Sequence, residues 1–284
     1  MGDSWLKAGK NMKGKPIDIA IMTYNSEKYL DECLASLFKA VNVRNLIMVD
    51  HHSKDKTLEI AKKYNPKIYL EDVGLAFARQ LAIEKVETPI FMFIDSDVVF
   101  QPPFNWFDAV IRTLEENPDL GAVVMRVTDV KMNRARQQYG QFWYKNVPFT
   151  IRFGFTTGST FIKKSAIAGL LLPSRLDARE DRFMELYIER KKRLKIEYFK
   201  CRGIHLFDYA KDKGSWAGAN ERLLTGLKRF PYLFFRRIIT SPLKAILPMI
   251  YYRNPQILIW NIKHWLSYLK GFLKPMEYRK LKRG

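Results

Sequence analysis

The chain has 284 residues, enough for one large domain with a sizeable core, or for one domain and an appendage. Its 49 Lys and Arg against 29 Asp and Glu give a formal net charge of +20. An anionic partner is therefore expected: nucleic acid, a phosphorylated substrate or an acidic membrane surface. The two cysteines, Cys33 and Cys201, are far apart and outside any CxxC pair, which argues against a disulfide framework and a structural zinc site.

Residues 1–14 are expected to form a flexible tail. After them, short apolar runs alternate with amphipathic segments. Strands are predicted at 17–22, 45–50, 67–70 and 91–95. Helices are predicted between them, at about 29–41, 56–64 and 75–86. This alternation is typical of an α/β fold with a mostly parallel sheet and helices on both faces.

Each of these four strands ends in a polar cluster. The clusters are "TYN" (23–25), "DHHSKD" (50–55), "EDVG" (71–74) and "DSD" (95–97). Ligands of such sheets bind at the carboxyl ends of the strands. Because parallel strands place those ends on one rim, we expect the four clusters to form a single site.

The chain after residue 100 is less regular. A helix is predicted at 106–116, a strand at 121–127, a turn into a strand at 158–164, a helix at 180–193 and a strand near 196–199. The basic stretch 129–155 is expected to be a loop over the site.

Asp95 and Asp97 follow the apolar run "FMFI", which is typical of a strand buried on both faces. Acids are depleted inside such strands, so the pair marks the strand's exit. Carboxylate oxygens are the ligands that hard divalent cations prefer, which favours a Mn²⁺ or Mg²⁺ site shared with substrate phosphates. The alternative is a turn that uses Asp for local hydrogen bonds.

Several motifs occur together in a specific order. They are "IAIMTYNSEKYLDECLASL", "LIMVDHHSKDKT", "GLAFARQLAIE", "FIDSDVV", "TTGSTFIKKSAI" and "RED". In order and approximate spacing they resemble the family 2 glycosyltransferases, over about residues 15–215. The resemblance implies a GT-A fold for a catalytic domain at 15–222. It also implies transfer of a sugar from a nucleotide diphosphate, with inversion at the anomeric carbon.

The resemblance assigns roles to individual residues. Asp97 would hold the metal, together with Asp95 and His205, although a lone histidine is more often structural. The nucleotide-sugar would be bound by Thr23, Tyr24, Asn25, Asp50, His51, Arg79, Asp95 and Ser96. Lys213 and Ser215 would bind the diphosphate, and Gly158 and Trp216 would lie at the acceptor. For Arg79 the alternative is a surface helix arginine.

Transfer to a hydroxyl requires a base. The family's Glu-Asp pair matches Glu180 and Asp181, so Asp181 is predicted to be the base and Glu180 to orient the acceptor or tune its partner. The alternative is a pair of helix N-terminal acids favoured by the helix dipole. The family pattern "VDDGSxDGT" is replaced here by "VDHHSKDKT", so His51 stands where relatives have a base-reading acid. This departure favours GDP-mannose over a uridine donor.

Residues 223–284 form a predicted basic, aromatic-rich helical segment. From Arg222 to Gly284 there are fourteen Lys and Arg and one acid, Glu277. Prolines and charges interrupt the apolar runs, so no simple spanning helix is predicted. The segment "PQILIWNIKHWLSYLKGFLK" instead predicts an interfacial helix docked on an anionic cytoplasmic leaflet of the cell membrane. The alternative is packing on the catalytic domain or on a second subunit.

The sequence thus predicts a membrane-associated, metal-dependent inverting transferase, similar to the dolichyl-phosphate mannose synthases. A sugar hydroxyl on a lipid-linked glycan would need Asp181 as base, whereas a polyprenyl phosphate acceptor would need none. A UDP-sugar-dependent transferase is a further alternative. A basic nucleic-acid-binding α/β protein is the rival from another class, but acids at the strand ends would repel a polyanion, so no nucleic-acid partner is expected.

Overall fold

The computed structural model describes residues 14–129, 156–174, 178–206, 213–233 and 240–278, with the isolated positions 135, 138, 139, 142, 176 and 235. The predicted tail, apart from Gly14, and most of the predicted loop at 129–155 lie outside them. The described residues fall into two compact units. The first holds 14–129, 156–174 and 180–206, and the second holds most of the rest, from 213 onward.

Strands and helices alternate through the first unit. The strands are β1 (Ile17–Thr23), β2 (Val43–Asp50), β3 (Lys67–Leu70), β4 (Ile90–Asp95), β5 (Val98–Phe100), β6 (Leu120–Asp129), β7 (Ser159–Lys163) and β8 (Lys195–His205). The helices are α1 (Glu27–Ala40), α2 (Thr57–Lys62), α3 (Leu75–Lys85), α4 (Phe107–Glu116) and α5 (Glu180–Leu186). A 3₁₀ turn at Lys164–Ile167 and a π-helical turn at Tyr187–Lys191 complete the set.

The eight described strands form one sheet in the order β3-β2-β1-β4-β7-β6-β8-β5. β1 pairs in parallel with β2 and β4, β2 with β3, and β6 with β8. The predicted α/β fold with a mostly parallel sheet is confirmed. Two features were not predicted: β7 pairs antiparallel with both β4 and β6, and β5 pairs antiparallel with β8.

The core of the first unit explains why the apolar run of β4 is continuous. Phe91 to Ile94 are each fully buried, so both faces of β4, which lies in the sheet between β1 and β7, are covered. Leu30, Leu34 and Leu37 recur on one face of α1 at helical spacing and are buried against the sheet. Because the apolar run of β4 is fully buried, it holds the residues that follow it in fixed positions.

The second unit is helical. Its helices are α6 (Lys213–Thr225), α7 (Phe230–Leu233), α8 (Thr240–Tyr251), α9 (Gln256–Leu273) and α10 (Pro275–Tyr278). The predicted boundary at 222 falls inside α6, so the structure divides the chain earlier than the sequence-based division. Among the described residues, none of the helices combines the length and hydropathy that crossing a bilayer requires.

α6 and α9 cross closely because glycines lie at their contact. A Cβ atom on Gly218 would collide with the carbonyl oxygen of Tyr268, and one on Gly271 with that of Ser215. The two backbones therefore approach more closely than larger side chains would allow. Both glycines therefore have a packing role, because a side chain at either position would not fit.

Candidate active site

Asp50, at the end of β2, organises the first part of the rim. It is fully buried. The Thr23 hydroxyl donates to Oδ1 at 2.7 Å, and Ser53 donates its hydroxyl to Oδ1 at 2.6 Å and its backbone N–H to Oδ2 at 2.7 Å. Both carboxylate oxygens are thus occupied within the protein. Asp50 shapes the predicted nucleotide pocket and does not face it, contrary to the position beside the base that the sequence suggested.

Asn25 and Ser96 hold neighbouring loops together. Asn25 adopts a left-handed conformation, with φ 47°, and its side-chain oxygen accepts the backbone N–H of Lys54 at 2.9 Å. The Ser96 hydroxyl donates to the Ser26 hydroxyl at 3.0 Å. The loops after β1, β2 and β4 are therefore linked to one another, as expected for strand ends on a common rim.

Tyr24 and His51 lie side by side on this rim. Their ring centroids are 5.2 Å apart in an edge-on arrangement, and the Tyr24 ring is exposed. His51 Nδ1 lies 2.7 Å from Oε1 of Glu71, at the end of β3. Glu71 is buried and received no role from the sequence, although it belongs to the "EDVG" cluster. Its place in a polar cluster directly after a strand is the sequence feature that could have identified Glu71 as a residue of the rim.

Asp95, Asp97 and His205 form a group of potential metal ligands, called here the metal group. One ligand atom from each lies within 4.8 Å of the others, and all three residues are partly exposed. His205 Nε2 is 3.0 Å from Asp97 Oδ1. The pairing of β5 with β8 produces this contact, because it sets Val98 opposite His205 directly after the DSD turn.

This donor set fits a divalent cation. Two carboxylates supply the hard oxygen ligands that Mn²⁺ and Mg²⁺ prefer, and an imidazole nitrogen is also acceptable to Mn²⁺. The group confirms the predicted divalent-cation site. When held by these three residues, such a cation would supply Lewis-acid stabilisation to a departing diphosphate.

Arg79, on α3, lies beneath this group. It is 4% exposed, and its Nε donates to Glu180 Oε1 at 2.8 Å while its Nη2 donates to Asp95 Oδ1 at 3.3 Å. Burial alone would lower the pKa of Arg79, but the charges of Glu180, Asp95 and Asp181 outweigh it and raise that pKa above its ordinary value. The alternative of a surface arginine is wrong. Arg79 joins the metal group to the start of α5.

Glu180 and Asp181 differ in their surroundings, although they are neighbours at the start of α5. Glu180 is buried and engaged by Arg79, so it positions the helix and is not available to orient an acceptor. Asp181 is partly exposed, and its Oδ1 accepts the backbone N–H of Arg182 at 2.6 Å. Of the two, Asp181 is the better candidate for a group that receives a proton.

Gly158 precedes β7 and lies against Asp95. The backbone N–H of Asp95 donates to the Gly158 carbonyl at 3.0 Å. A Cβ atom at position 158 would lie 2.6 Å from Asp95 Oδ2. Gly158 was predicted to contact the acceptor; it is buried, and its lack of a side chain makes room for a metal-binding carboxylate.

The remaining predicted site residues lie on α6 in the second unit. Ser215 is fully buried, and its hydroxyl lies 2.9 Å from that of Ser267 on α9. This placement contradicts the predicted diphosphate role, because the hydroxyl is used in helix packing. Trp216 is partly buried, and the Lys213 side chain lies outside the described residues.

Sequence and structure comparisons agree with this geometry. The family model described as Glycosyl transferase family 2 matches residues 18–172, more than half of the chain. A processive diacylglycerol beta-glycosyltransferase of Mycoplasma pneumoniae is 31% identical over 145 residues, which cover 47% of this chain and 40% of the relative. A teichoic acid poly(glycerol phosphate) polymerase of Staphylococcus epidermidis is 38% identical over 140 residues, covering 43% of this chain and 19% of the relative.

Solved structures share the fold. TarS of S. aureus in complex with UDP has a TM-score of 0.55 at 16% identity, over 93% of this chain and 90% of that chain. Glucosyl-3-phosphoglycerate synthase of Mycobacterium tuberculosis, in complex with Mn²⁺ and UDP-glucose, has a TM-score of 0.51 at 16% identity, over 78% and 82%. The chain spans less than half the length of the two curated relatives above. The family match, which includes the rim residues from Thr23 to Asp97 and Gly158, shows that this chain belongs to glycosyl transferase family 2.

Proposed function

We propose that the protein transfers a hexose from a UDP-sugar to a hydroxyl group of a membrane-anchored acceptor, with inversion at the anomeric carbon. The observation that carries this proposal is the linkage of the metal group to the start of α5. Arg79 contacts Asp95 on one side and Glu180 on the other, which fixes Asp181 relative to the cation site. One rigid network thus holds both the leaving-group site and the candidate base.

The reaction removes a proton from the acceptor hydroxyl and places negative charge on the leaving diphosphate. The acceptor oxygen forms a bond to the anomeric carbon as the bond from that carbon to the diphosphate breaks. The proton of the acceptor hydroxyl passes to the Asp181 carboxylate, which acts as general base. Negative charge builds up on the diphosphate next to Asp95, Asp97 and His205, where a bound cation would stabilise it.

The proposed donor is a UDP-sugar, since TarS and the phosphoglycerate synthase, which share this fold, are described with UDP and UDP-glucose. The sequence-based preference for GDP-mannose depends on His51 and on the likeness to the dolichyl-phosphate mannose synthases. An acceptor hydroxyl on a lipid is suggested by the diacylglycerol transferase relative. A polyprenyl phosphate acceptor is already ionised and would make Asp181 dispensable.

Membrane association is supported by the second unit. The outward face of α8 carries Leu243, Leu247 and Ile250, and that of α9 carries Ile259, Leu266 and Leu273, all exposed. Exposed lysines at 244, 263 and 270 lie among these apolar side chains. Basic and apolar groups on one surface suit anionic lipid, where each cation adds about 1 kcal/mol. We propose that α8 and α9 dock on an anionic membrane surface, and that this surface is the cytoplasmic leaflet of the cell membrane.

The direct test is sugar transfer by the full chain, with Mn²⁺, to diacylglycerol in phosphatidylglycerol vesicles. UDP-glucose, UDP-N-acetylglucosamine and GDP-mannose serve as parallel donors. We expect transfer from a UDP-sugar, loss of transfer in Asp181→Asn, and no change in Asp119→Asn, an exposed acid on the surface. Transfer from GDP-mannose alone would overturn the donor proposal. Full activity of Asp181→Asn would overturn the base assignment.

Lipid docking is tested separately by vesicle co-sedimentation. Leu247→Glu should reduce binding to phosphatidylglycerol vesicles, and the wild type should not bind phosphatidylcholine vesicles. The matched control is Leu171→Glu, which changes a leucine of the first unit that is 77% exposed, against 56% for Leu247. Equal binding of both variants would refute docking through α8.

A further inference from the structure

The pairing of His51 with Glu71 fixes the hydrogen-bonding character of the histidine ring. The Glu71 side chain is 1% exposed, and its Oε2 accepts the backbone N–H groups of Val73 and Gly74, each at 2.8 Å. Its Oε1 faces His51 Nδ1 at 2.7 Å. An ionised carboxylate only accepts hydrogen bonds, so Nδ1 is the nitrogen that carries the proton.

The second ring nitrogen then has the opposite character. In neutral imidazole one nitrogen donates and the other accepts, so Nε2 of His51 is an acceptor. The His51 side chain is 35% exposed, and the adjacent exposed Tyr24 ring offers a surface on which a base can stack. The rim therefore presents an aromatic face beside one acceptor nitrogen.

We propose that this His51–Glu71 pair selects the nucleotide by the edge of its base. Nε2 accepts a hydrogen bond from a base that has an N–H at the centre of its Watson–Crick edge. Uracil and guanine have such an N–H, at N3 and N1, whereas cytosine and adenine have a lone pair there. The proposal rests on the proposed function, because it assigns the base subsite of the same donor site. Glu71 is a positioning residue, since it acts on the nucleotide only through His51.

Glu71→Gln is a variant that should reverse the selection. Glutamine has one acceptor oxygen, and the two backbone N–H groups of Val73 and Gly74 require it. The amide NH₂ group is then left facing Nδ1, which must accept, so the proton moves to Nε2. The ring becomes a donor toward the base, which matches cytosine N3 and no longer matches uracil N3.

The experiment is calorimetric titration of UDP and CDP into the full chain with Mn²⁺ at mildly alkaline pH. These two nucleotides are matched in size and differ only at positions 3 and 4 of the base. We expect the wild type to prefer UDP by roughly ten- to one-hundredfold, the effect of an unmatched hydrogen-bonding group in a protected site. Glu71→Gln should bind UDP more weakly and CDP more tightly, and a gain in CDP binding cannot result from misfolding.

His51→Phe supplies a second variant, which keeps a ring beside Tyr24 but removes the acceptor. It should bind both nucleotides with nearly equal affinity. Glu59→Gln, an exposed change of the same type on α2, should leave the UDP preference intact. A UDP preference that persists in both Glu71→Gln and His51→Phe would overturn the inference and leave the proposed function standing. A folded wild type that binds no nucleoside diphosphate would overturn both.

Discussion

Carboxylates lie at both ends of the parallel strands, and their surroundings differ. Asp18 marks the amino end, called here the structural end, and Asp95 marks the carboxyl end, called here the ligand end. Asp18, near the start of β1, is fully buried. It accepts the backbone N–H groups of Glu87 at 2.6 Å and Thr88 at 3.2 Å, and the Asn45 amide at 2.8 Å. Asp95, at the end of the neighbouring β4, is partly exposed and accepts a side-chain hydrogen bond from Arg79. Three neutral donors and the Arg44 guanidinium surround the first carboxylate, whereas the second is partly open to solvent.

The difference shows in the chemistry of each acid. Burial would raise the pKa of Asp18, but hydrogen bonds from Glu87, Asn45 and Thr88 and the charge of Arg44 outweigh it and lower that pKa below its ordinary value. Asp18 is thus a structural anion that ties three segments together. Asp95, Asp97 and His205 keep ligand atoms directed at one another. Partners, more than residue type, separate a carboxylate that stabilises the fold from one that binds a cation.

The largest expected effect is at the ligand end. Asp97→Asn should reduce transfer by on the order of a thousandfold, because an amide is a poor ligand and the leaving diphosphate loses its stabilisation. The free energy of unfolding without metal should change little, since Asp97 is partly exposed. The readouts are transfer rate and the Mn²⁺-induced rise in Tm. A variant that keeps its Mn²⁺-induced rise would contradict the assignment of Asp97 to the metal group.

The next largest effect is expected at Arg79, which links Asp95 to Glu180. Arg79→Met leaves the buried Glu180 carboxylate without its partner, and we expect a loss of about 3–5 kcal/mol in the free energy of unfolding. Urea denaturation measures it. The double variant Arg79→Met, Glu180→Gln should recover part of the loss, since no unpaired buried charge remains. Arg44→Met is the matched control at the structural end, where the arginine is more exposed, and it should lose less. Equal losses in the two single variants would contradict the buried link.

Much of this architecture could be predicted from the sequence. Alternating apolar and amphipathic segments predicted β1 to β4 and their helices, and the polar clusters predicted the rim. His205 depended on the family resemblance, because its contact with Asp97 arises from the antiparallel pairing of β5 with β8. β5 has only three residues, too few for a periodic pattern.

The roles that were missed or misassigned depend on tertiary contacts. Nothing in the spacing of Arg79 and Glu180 shows that they pair across the first unit. Ser215 was assigned to the diphosphate, whereas Gly214, Gly218 and Gly271 make a close helix crossing that buries it. Small residues four apart on α6 were a usable signal for packing. Glu71 lacked a role because its partner, His51, lies on another loop.

A smaller effect is expected at the structural end. Asp18→Asn should cost about 1–3 kcal/mol at neutral pH, since the amide cannot accept from all of the present donors. Because the folded pKa of Asp18 is lowered from 3.8, its stabilisation is present above that pH and is lost as the pH falls through the folded pKa. Wild type and variant should therefore converge in strongly acidic urea titrations. Their Mn²⁺ affinities should be equal at neutral pH; a weaker Mn²⁺ affinity in the variant would mean that the two ends are coupled.

The smallest effect is expected at Gly158, which lies against the Asp95 carboxylate at the ligand end. In Gly158→Ala the new methyl group would lie 2.6 Å from Asp95 Oδ2, so the carboxylate must turn away from the metal group. We expect Mn²⁺ affinity to fall by roughly tenfold, as for other changes that disturb ligand orientation, with little change in Tm without metal. The decisive control is a double-mutant cycle with Asp95→Ala. If the methyl group acts through Asp95, it should have no further effect on Mn²⁺ affinity once that carboxylate is gone. An additive effect would place the influence of Gly158 elsewhere on the rim.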